Sequence, residues 1–262
     1  MQHEAVDGIV IRVKDYGEHD RYLTVLTQGG RLLLLSKGSR SMRGTQMAVS
    51  QLYTYGNFEY YRKGTATPIL KGGSALQSFY GLTTDLEKLN LAAYFCDLAY
   101  ELSDEGEDAG EVLRLLLNAL YAVSSDRYPM DLVKAALEFR LSAGAGYAPD
   151  LHACRKCETT DAADWYLDVM NGALLCEGCL HTVEEAPRSE EDPTAAGALC
   201  PLSPSALAAL RYLLASPIER VFSFSLSDER ERAAFCKAAE TYLLSHLGRG
   251  FDSLDFYHSL KG

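Results

Sequence analysis

Residues 134–180 read KAALEFRLSAGAGYAPDLHACRKCETTDAADWYLDVMNGALLCEGCL, and four cysteines in this stretch decide how the rest of the chain is read. Cys154 and Cys157 stand two residues apart, an eighteen-residue excursion follows, and Cys176 and Cys179 repeat the spacing. A two-residue gap lets one tight turn aim both thiolates at one point. Two such turns joined by a hairpin complete the tetrahedron that Zn2+ accepts. The excursion has the content of that hairpin: Trp165, Leu167 and Val169 alternate toward one side, Asn171-Gly172 tolerates positive φ, and Ala173 to Leu175 leads back to the second pair. Two disulfides are the competing reading. They need an oxidising compartment, and no basic and apolar leader segment marks the chain for export. Four sulfurs close a coordination shell, so the expected cofactor is one structural Zn2+ and not a catalytic one. His152 and His181 flank the pairs and suit roles around the ligands better than ligation itself.

Outward from this stretch, 262 residues at 47% hydrophobic content can bury a core without disulfides, and the length fits two or three small domains. Cys96, Cys200 and Cys236 show no pairing pattern and read as buried free thiols. No apolar run reaches the length of a membrane span, so a soluble, cytoplasmic protein is expected. The net charge of -11 is segregated. Residues 1–80 hold ten Lys or Arg against six Asp or Glu, and residues 81–262 hold fifteen against thirty. A basic amino-terminal module suits a phosphate-bearing partner docking at one end, and equally an ordinary solvated surface.

Ala5 to Lys14, Tyr22 to Gln28, Arg31 to Lys37, Leu52 to Arg62 and Thr67 to Lys71 read as strands, with Gly29-Gly30 as a two-residue hairpin turn. Five short strands in eighty residues suggest a small barrel or sandwich over residues 1–80; a barrel is the expectation, and five is the number of strands an OB-fold uses. From Gly81 the period becomes helical. Thr84 with Glu87 reads as a capping box opening a helix to Ser103, followed by helices over residues 111–124 and 131–143. Ser203-Pro204 opens a helix to Ala215, Ser227 caps another reaching His246 before Gly248, and residues 250–260 read as a short amphipathic helix. The chain is thus an α+β multidomain protein. A helical bundle domain (81–152 and 183–262) follows the barrel and carries an inserted four-cysteine element at 153–182, and an acidic connection lies at 184–197.

Between strands, Lys37-Gly-Ser-Arg40-Ser-Met-Arg43-Gly bears three cations and no carboxylate, without the spacing of a P-loop. Tyr53, Tyr55, Phe58, Tyr60 and Tyr61 lie close to Arg62 and Lys63, the mixture that stacks single-stranded bases while cations hold the backbone. Alternate strand positions must also fill the barrel. No nucleophile elbow, zinc-protease helix or dinucleotide fingerprint is present, and Gly144-Ala-Gly146 follows a helix and not a strand. The expectation is a binding protein and not an enzyme.

The order of these parts resembles a family. Tyr16-Gly-Glu-His-Asp20, Leu23-Thr-Val-Leu-Thr27 and the Lys37-Gly-Ser-Arg40 loop are similar to the start of the bacterial recombination mediator family RecO. Leu137-Glu-Phe-Arg-Leu141, Gly144, Gly146-Tyr147, Asp150-Leu151 and the first cysteine pair look like its helix-to-zinc transition. Gly172 to Cys179 looks like the return, and Ser253-Leu-Asp-Phe256 like its ending. The resemblance implies an OB-fold, a helical domain and a zinc-bearing element. It further implies DNA repair by binding and annealing single-stranded DNA, with duplex DNA as a further partner. With RecR, the family helps RecA replace single-strand-binding protein, which places it at the nucleoid during repair. The phosphate-contacting candidates are Arg12, Arg21, Lys37, Arg40, Arg43, Arg62 and Lys63. The family also docks the acidic tail of single-strand-binding protein, for which Lys134 and Arg140 are candidate rim cations. The alternative reading is a zinc-ribbon adaptor between proteins, without direct DNA binding.

Overall fold

Strand β1 (Gln2–Tyr16) serves two neighbours in succession, and Gly8 is where it changes hands. Its amino-terminal half pairs with β4 (Thr54–Arg62), its carboxy-terminal half with β2 (Asp20–Thr27), and Gly8 is matched both to Gly56 and to Thr27. A Cβ on Gly8 would stand 2.6 Å from the Leu26 carbonyl oxygen, so only glycine lets the strand coil this tightly. A bulge between Val10 and Arg12 adds to the bend. The computed structural model describes residues 2–39, 46–184 and 198–260.

Strand β3 (Gly30–Ser36) follows β2 through the two-residue turn Gln28-Gly29, one position earlier than the sequence reading places it, because Gly30 pairs with Thr27. With β5 (Ile69–Ser78) the strands close into a barrel in the order β1-β2-β3-β5-β4. The β3–β5 pairing is parallel, at Leu35 and Ile69. This is the OB-fold connectivity, and its interior is filled by Val10, Leu23, Val25, Leu32, Leu34, Val49, Phe58, Tyr60 and Leu70.

Helices α1 (Leu86–Glu101) and α2 (Gly110–Ser124) follow. The cap of α1 is Asp85, whose carboxylate accepts from the Glu87 and Lys88 N–H groups. Thr84, the expected cap, belongs instead to a preceding 3-10 turn, where its hydroxyl donates to the Gly81 carbonyl. Helix α7 (Asp252–Ser259) returns from the far end of the chain to pack on α1, where Phe251 meets Tyr94 edge-on at 5.7 Å. The helices of the expected bundle therefore divide. Residues up to Asp126 and from Phe251 form one compact unit with the barrel, and Arg127–Gly250 form another.

In the second unit α3 (Met130–Gly144) packs on α6 (Glu229–Leu247) through Phe139, Phe235 and Tyr242. Asp228, and not Ser227, caps α6, and Gly248 ends it at φ +66°. Strands β6 (Asp150–Cys154), β7 (Trp165–Asp168), β8 (Ala173–Cys176) and β9 (Leu199–Leu202) form a sheet in the order β6-β8-β7-β9. The sequence reading has no β9, because Pro201 interrupts its four residues. The strand lies at the sheet edge, where proline's missing N–H costs least. Short helix α4 (Glu177–Glu184) follows β8, and α5 (Pro204–Ala215) is capped by Ser203 as expected. The acidic connection falls almost entirely outside the described residues.

Candidate functional site

The first cysteine pair sits on a knuckle. Cys154 closes β6, its carbonyl accepts from Glu158 N–H at 2.9 Å, and Glu158 takes φ +58°, which folds the chain back after Cys157. The second pair departs from the expected tight turn: Cys176 ends β8 and Cys179 lies in the first turn of α4. The hairpin between them forms as read, with Trp165 opposite Cys176 and Asp168 opposite Ala173. Its turn residue Gly172 takes φ +56° beneath the Tyr242 hydroxyl. All four Sγ atoms lie within 4.8 Å of one another, and those of Cys157 and Cys176 are 3.6 Å apart. Sulfurs placed at about 2.3 Å around a tetrahedral ion stand roughly 3.8 Å from each other, so this donor set fits one. His152 is exposed and stands outside the group.

The sulfurs do not share one protonation tendency. Burial works against a Cys154 thiolate, but N–H groups of Cys157, Cys176 and Lys156 outweigh it and bring the pKa down to about 6. Hydrogen bonding with the Cys157 side chain, then burial, pushes Cys179 up to about 12. Cys176 is raised first by burial. The frame is braced from outside. Arg211 of α5 donates twice to the Leu151 carbonyl, at 2.9 and 2.6 Å, and Arg155 pairs with buried Asp168 at 2.8 Å.

On the barrel, the candidate cations are not equivalent. Arg12 pairs with Asp97 at 2.8 Å and lays its guanidinium 3.5 Å over the Tyr100 ring. Arg31, which the sequence reading passes over, approaches the same ring at 4.0 Å and pairs with Asp104. Both strands are thereby fastened to α1. Arg21 pairs with Asp15 at 3.0 Å, and Lys37 and Lys63 are exposed. Arg62 is half-buried beside Tyr60, whose pKa burial and Glu4 push up to about 12 against its pull. Arg40 and Arg43 lie outside the described residues. Of the five aromatics, Tyr53, Phe58 and Tyr60 are buried, while Tyr55 and Tyr61 are half-buried. Elsewhere on the barrel, exposed Tyr16 packs against half-buried Tyr22 at 4.9 Å. Cross-strand register brings them together, and that is not visible from their spacing.

Lys134 and Arg140 are turned inward, away from the exposed rim expected of them. Lys134, its side chain 5% exposed, sits between Glu138 at 2.7 Å and Glu240 at 2.6 Å. Arg140 donates to the carbonyls of Leu213, Leu214 and Ser216, closing the end of α5.

These parts define a class: an α+β protein with an OB barrel, then helices, and an inserted four-cysteine element able to hold a metal ion. Residues 1–79 match the family model described as Recombination protein O N terminal, and residues 83–255 match Recombination protein O C terminal. The chain belongs to the RecO family of DNA repair proteins. The DNA repair protein RecO of Acetivibrio thermocellus is 32% identical over 262 residues, covering 99% of this chain and 98% of that one. Its counterpart from Symbiobacterium thermophilum is 29% identical over 98% of this chain and 97% of its own. That of Roseiflexus sp. is 30% identical over 97% and 85%. Among the described residues no helix is long and apolar enough to cross a membrane.

Proposed function

We propose that this DNA repair protein binds single-stranded DNA through its barrel and anneals complementary strands. With RecR as partner, it promotes RecA loading on DNA coated by single-strand-binding protein, whose acidic tail it engages. Duplex DNA is a further partner. The work is done in the cytoplasm, at the nucleoid, and without turnover, since annealing needs phosphate charge neutralised and bases stacked but no covalent step. The supporting observation is the OB barrel itself, in a chain matched to the family along both halves. Lys37, Arg40, Arg43, Arg62 and Lys63 are the cations assigned to phosphates, with Arg12 and Arg21 contributing from their pairs. Cys154, Cys157, Cys176 and Cys179 hold one Zn2+ that fixes the hairpin and takes no part in chemistry. Lys134 is assigned no role in the tail contact, because its ammonium is enclosed.

The test is fluorescence anisotropy with labelled single-stranded and duplex oligonucleotides across a salt series. Each phosphate engaged on a single strand adds about 0.7 to the slope of log affinity against log salt. The triple variant Lys37→Ala, Arg40→Ala, Arg43→Ala is expected to lower both affinity and slope. A second reading, a zinc-bearing adaptor that meets only proteins, draws on the internal pairing of Arg12, Arg21 and Arg31. Absence of single-strand binding even at low salt would favour it.

A further inference from the structure

The open half of the barrel's β1-β2-β3 face carries a site of its own. Along β1, Arg12, Lys14 and Tyr16 point to one side, because they pair in register with Thr24, Tyr22 and Asp20 of β2. Strand β3 extends the row, with Leu33 opposite Thr24 and Leu35 opposite Tyr22. None of these side chains belongs to the barrel's filled interior.

One end of this face is occupied by the helices. There Leu26 is fully buried, and the guanidiniums of Arg12 and Arg31 lie against Tyr100 of α1. Toward the turn Gly17-Glu18-His19 the face opens. Lys14 is exposed, and Tyr16 is 51% exposed with its ring 4.9 Å from that of half-buried Tyr22; Leu33, level with Arg12, is 43% exposed. The two rings are tilted by 54°, and the exposed half of Tyr16 leaves aromatic surface in water. Lys14 makes no ion pair among the described residues. Two neighbouring carboxylates are engaged elsewhere: Asp15 accepts from Arg21, and Asp20 accepts the Gly38 N–H at 2.8 Å. Aromatic surface left in water beside an available ammonium matches the two features of a single strand, an unstacked base and its phosphate. OB barrels bind oligonucleotides on this side of the sheet, around the β1–β2 and β4–β5 loops.

We propose that Tyr16 and Tyr22 form a base-stacking platform for single-stranded DNA and that Lys14 holds the adjoining phosphate. This rests on the DNA-binding reading above and assigns it to residues outside the Lys37–Arg43 loop. The rings act through stacking, so they discriminate single strand from duplex and contribute no charge. Lys14 acts through charge and discriminates little.

Anisotropy with a labelled oligo-dT and a labelled duplex tests each role. Tyr16→Ala and Tyr22→Ala are each expected to weaken single-strand binding roughly tenfold with the salt slope unchanged and duplex binding little altered. Tyr16→Phe and Tyr22→Phe should bind as wild type, since the ring is retained. Lys14→Ala should lower the slope by about 0.7. If Tyr22→Ala does not fold by circular dichroism, Tyr16→Ala carries the test, its ring being half exposed near the end of the strand. Alanine variants within twofold of wild type, or phenylalanine variants as weak as alanine ones, overturn the platform while wild-type binding keeps the DNA reading intact. A wild type that binds no single strand at low salt overturns both.

Discussion

Replacing Lys134 by Met gives the sharpest test of how the second unit is held together. The ammonium lies 2.7 Å from Glu138, whose side chain is fully buried, and 2.6 Å from Glu240, which is 24% exposed. Removing the cation leaves Glu138 without its neutralising charge in a site water does not reach, while Glu240 can turn toward solvent. Breaking a buried pair from one side costs about 3–5 kcal/mol. With a urea slope of about 2 kcal/mol/M, the midpoint should fall by roughly 2 M. The chain has a single tryptophan, Trp165, buried in β7 of the same unit, so its emission reports this transition directly. Adding Glu138→Gln to Lys134→Met removes the stranded charge and should recover at least half of the loss. A midpoint within about 0.3 M of wild type, or no recovery in the double variant, refutes the enclosed triad. The pH dependence has a defined sign. Burial lowers the Lys134 pKa, but Glu138 and then Glu240 outweigh it, so the folded value lies above the ordinary lysine one. Its contribution is fully present below the unfolded value of about 10.4 and is lost only as pH rises through the higher folded value. Stability due to the triad should therefore be flat from neutral to mildly alkaline pH.

Three further outcomes are expected. Cys176→Ser should release the metal and lower the Trp165 midpoint, and elemental analysis of wild type showing no zinc would dispose of the zinc assignment. Gly172→Ala places a Cβ 2.9 Å from the Tyr242 hydroxyl at φ +56°, so a loss of about 1–2 kcal/mol is expected in the same urea assay, and a neutral effect would mean the turn relaxes freely. Tyr100→Leu removes the ring shared by Arg12 and Arg31, and about 1–2 kcal/mol of protection should disappear from β1 and α1 in hydrogen exchange; unchanged protection would show that the ion pairs alone suffice.

Local rules carried much of this reading. Cysteine spacing located the four-cysteine cluster, helical periodicity located α1 to α3, α5 and α6, and short-range turn chemistry located the β7–β8 hairpin. Where the reading slipped by one residue, at the caps of α1 and α6, two adjacent residues could both cap, and the carboxylate of Asp85 or Asp228 won over the neighbouring hydroxyl. Pro201 hid β9 because a strand of four residues is defined by its partner and not by its own pattern.

What the sequence by itself determined is therefore chemical inventory and local conformation: four cysteines in two closely spaced pairs, strands then helices, a basic first module and an acidic remainder. What only the tertiary structure decided is which side chains meet across long separations. Lys134 reads as a surface cation until Glu240, 106 residues away, closes over it. Tyr60 reads as either a stacking or a core residue until the barrel turns it inward, and Tyr16 and Tyr22 pair only through strand register. Helix α7 joins α1 across some 150 residues, where Ser253 donates to Asp97. The physical reason is that burial and charge pairing belong to the surroundings of a residue, and those surroundings are assembled from segments that local sequence rules never compare.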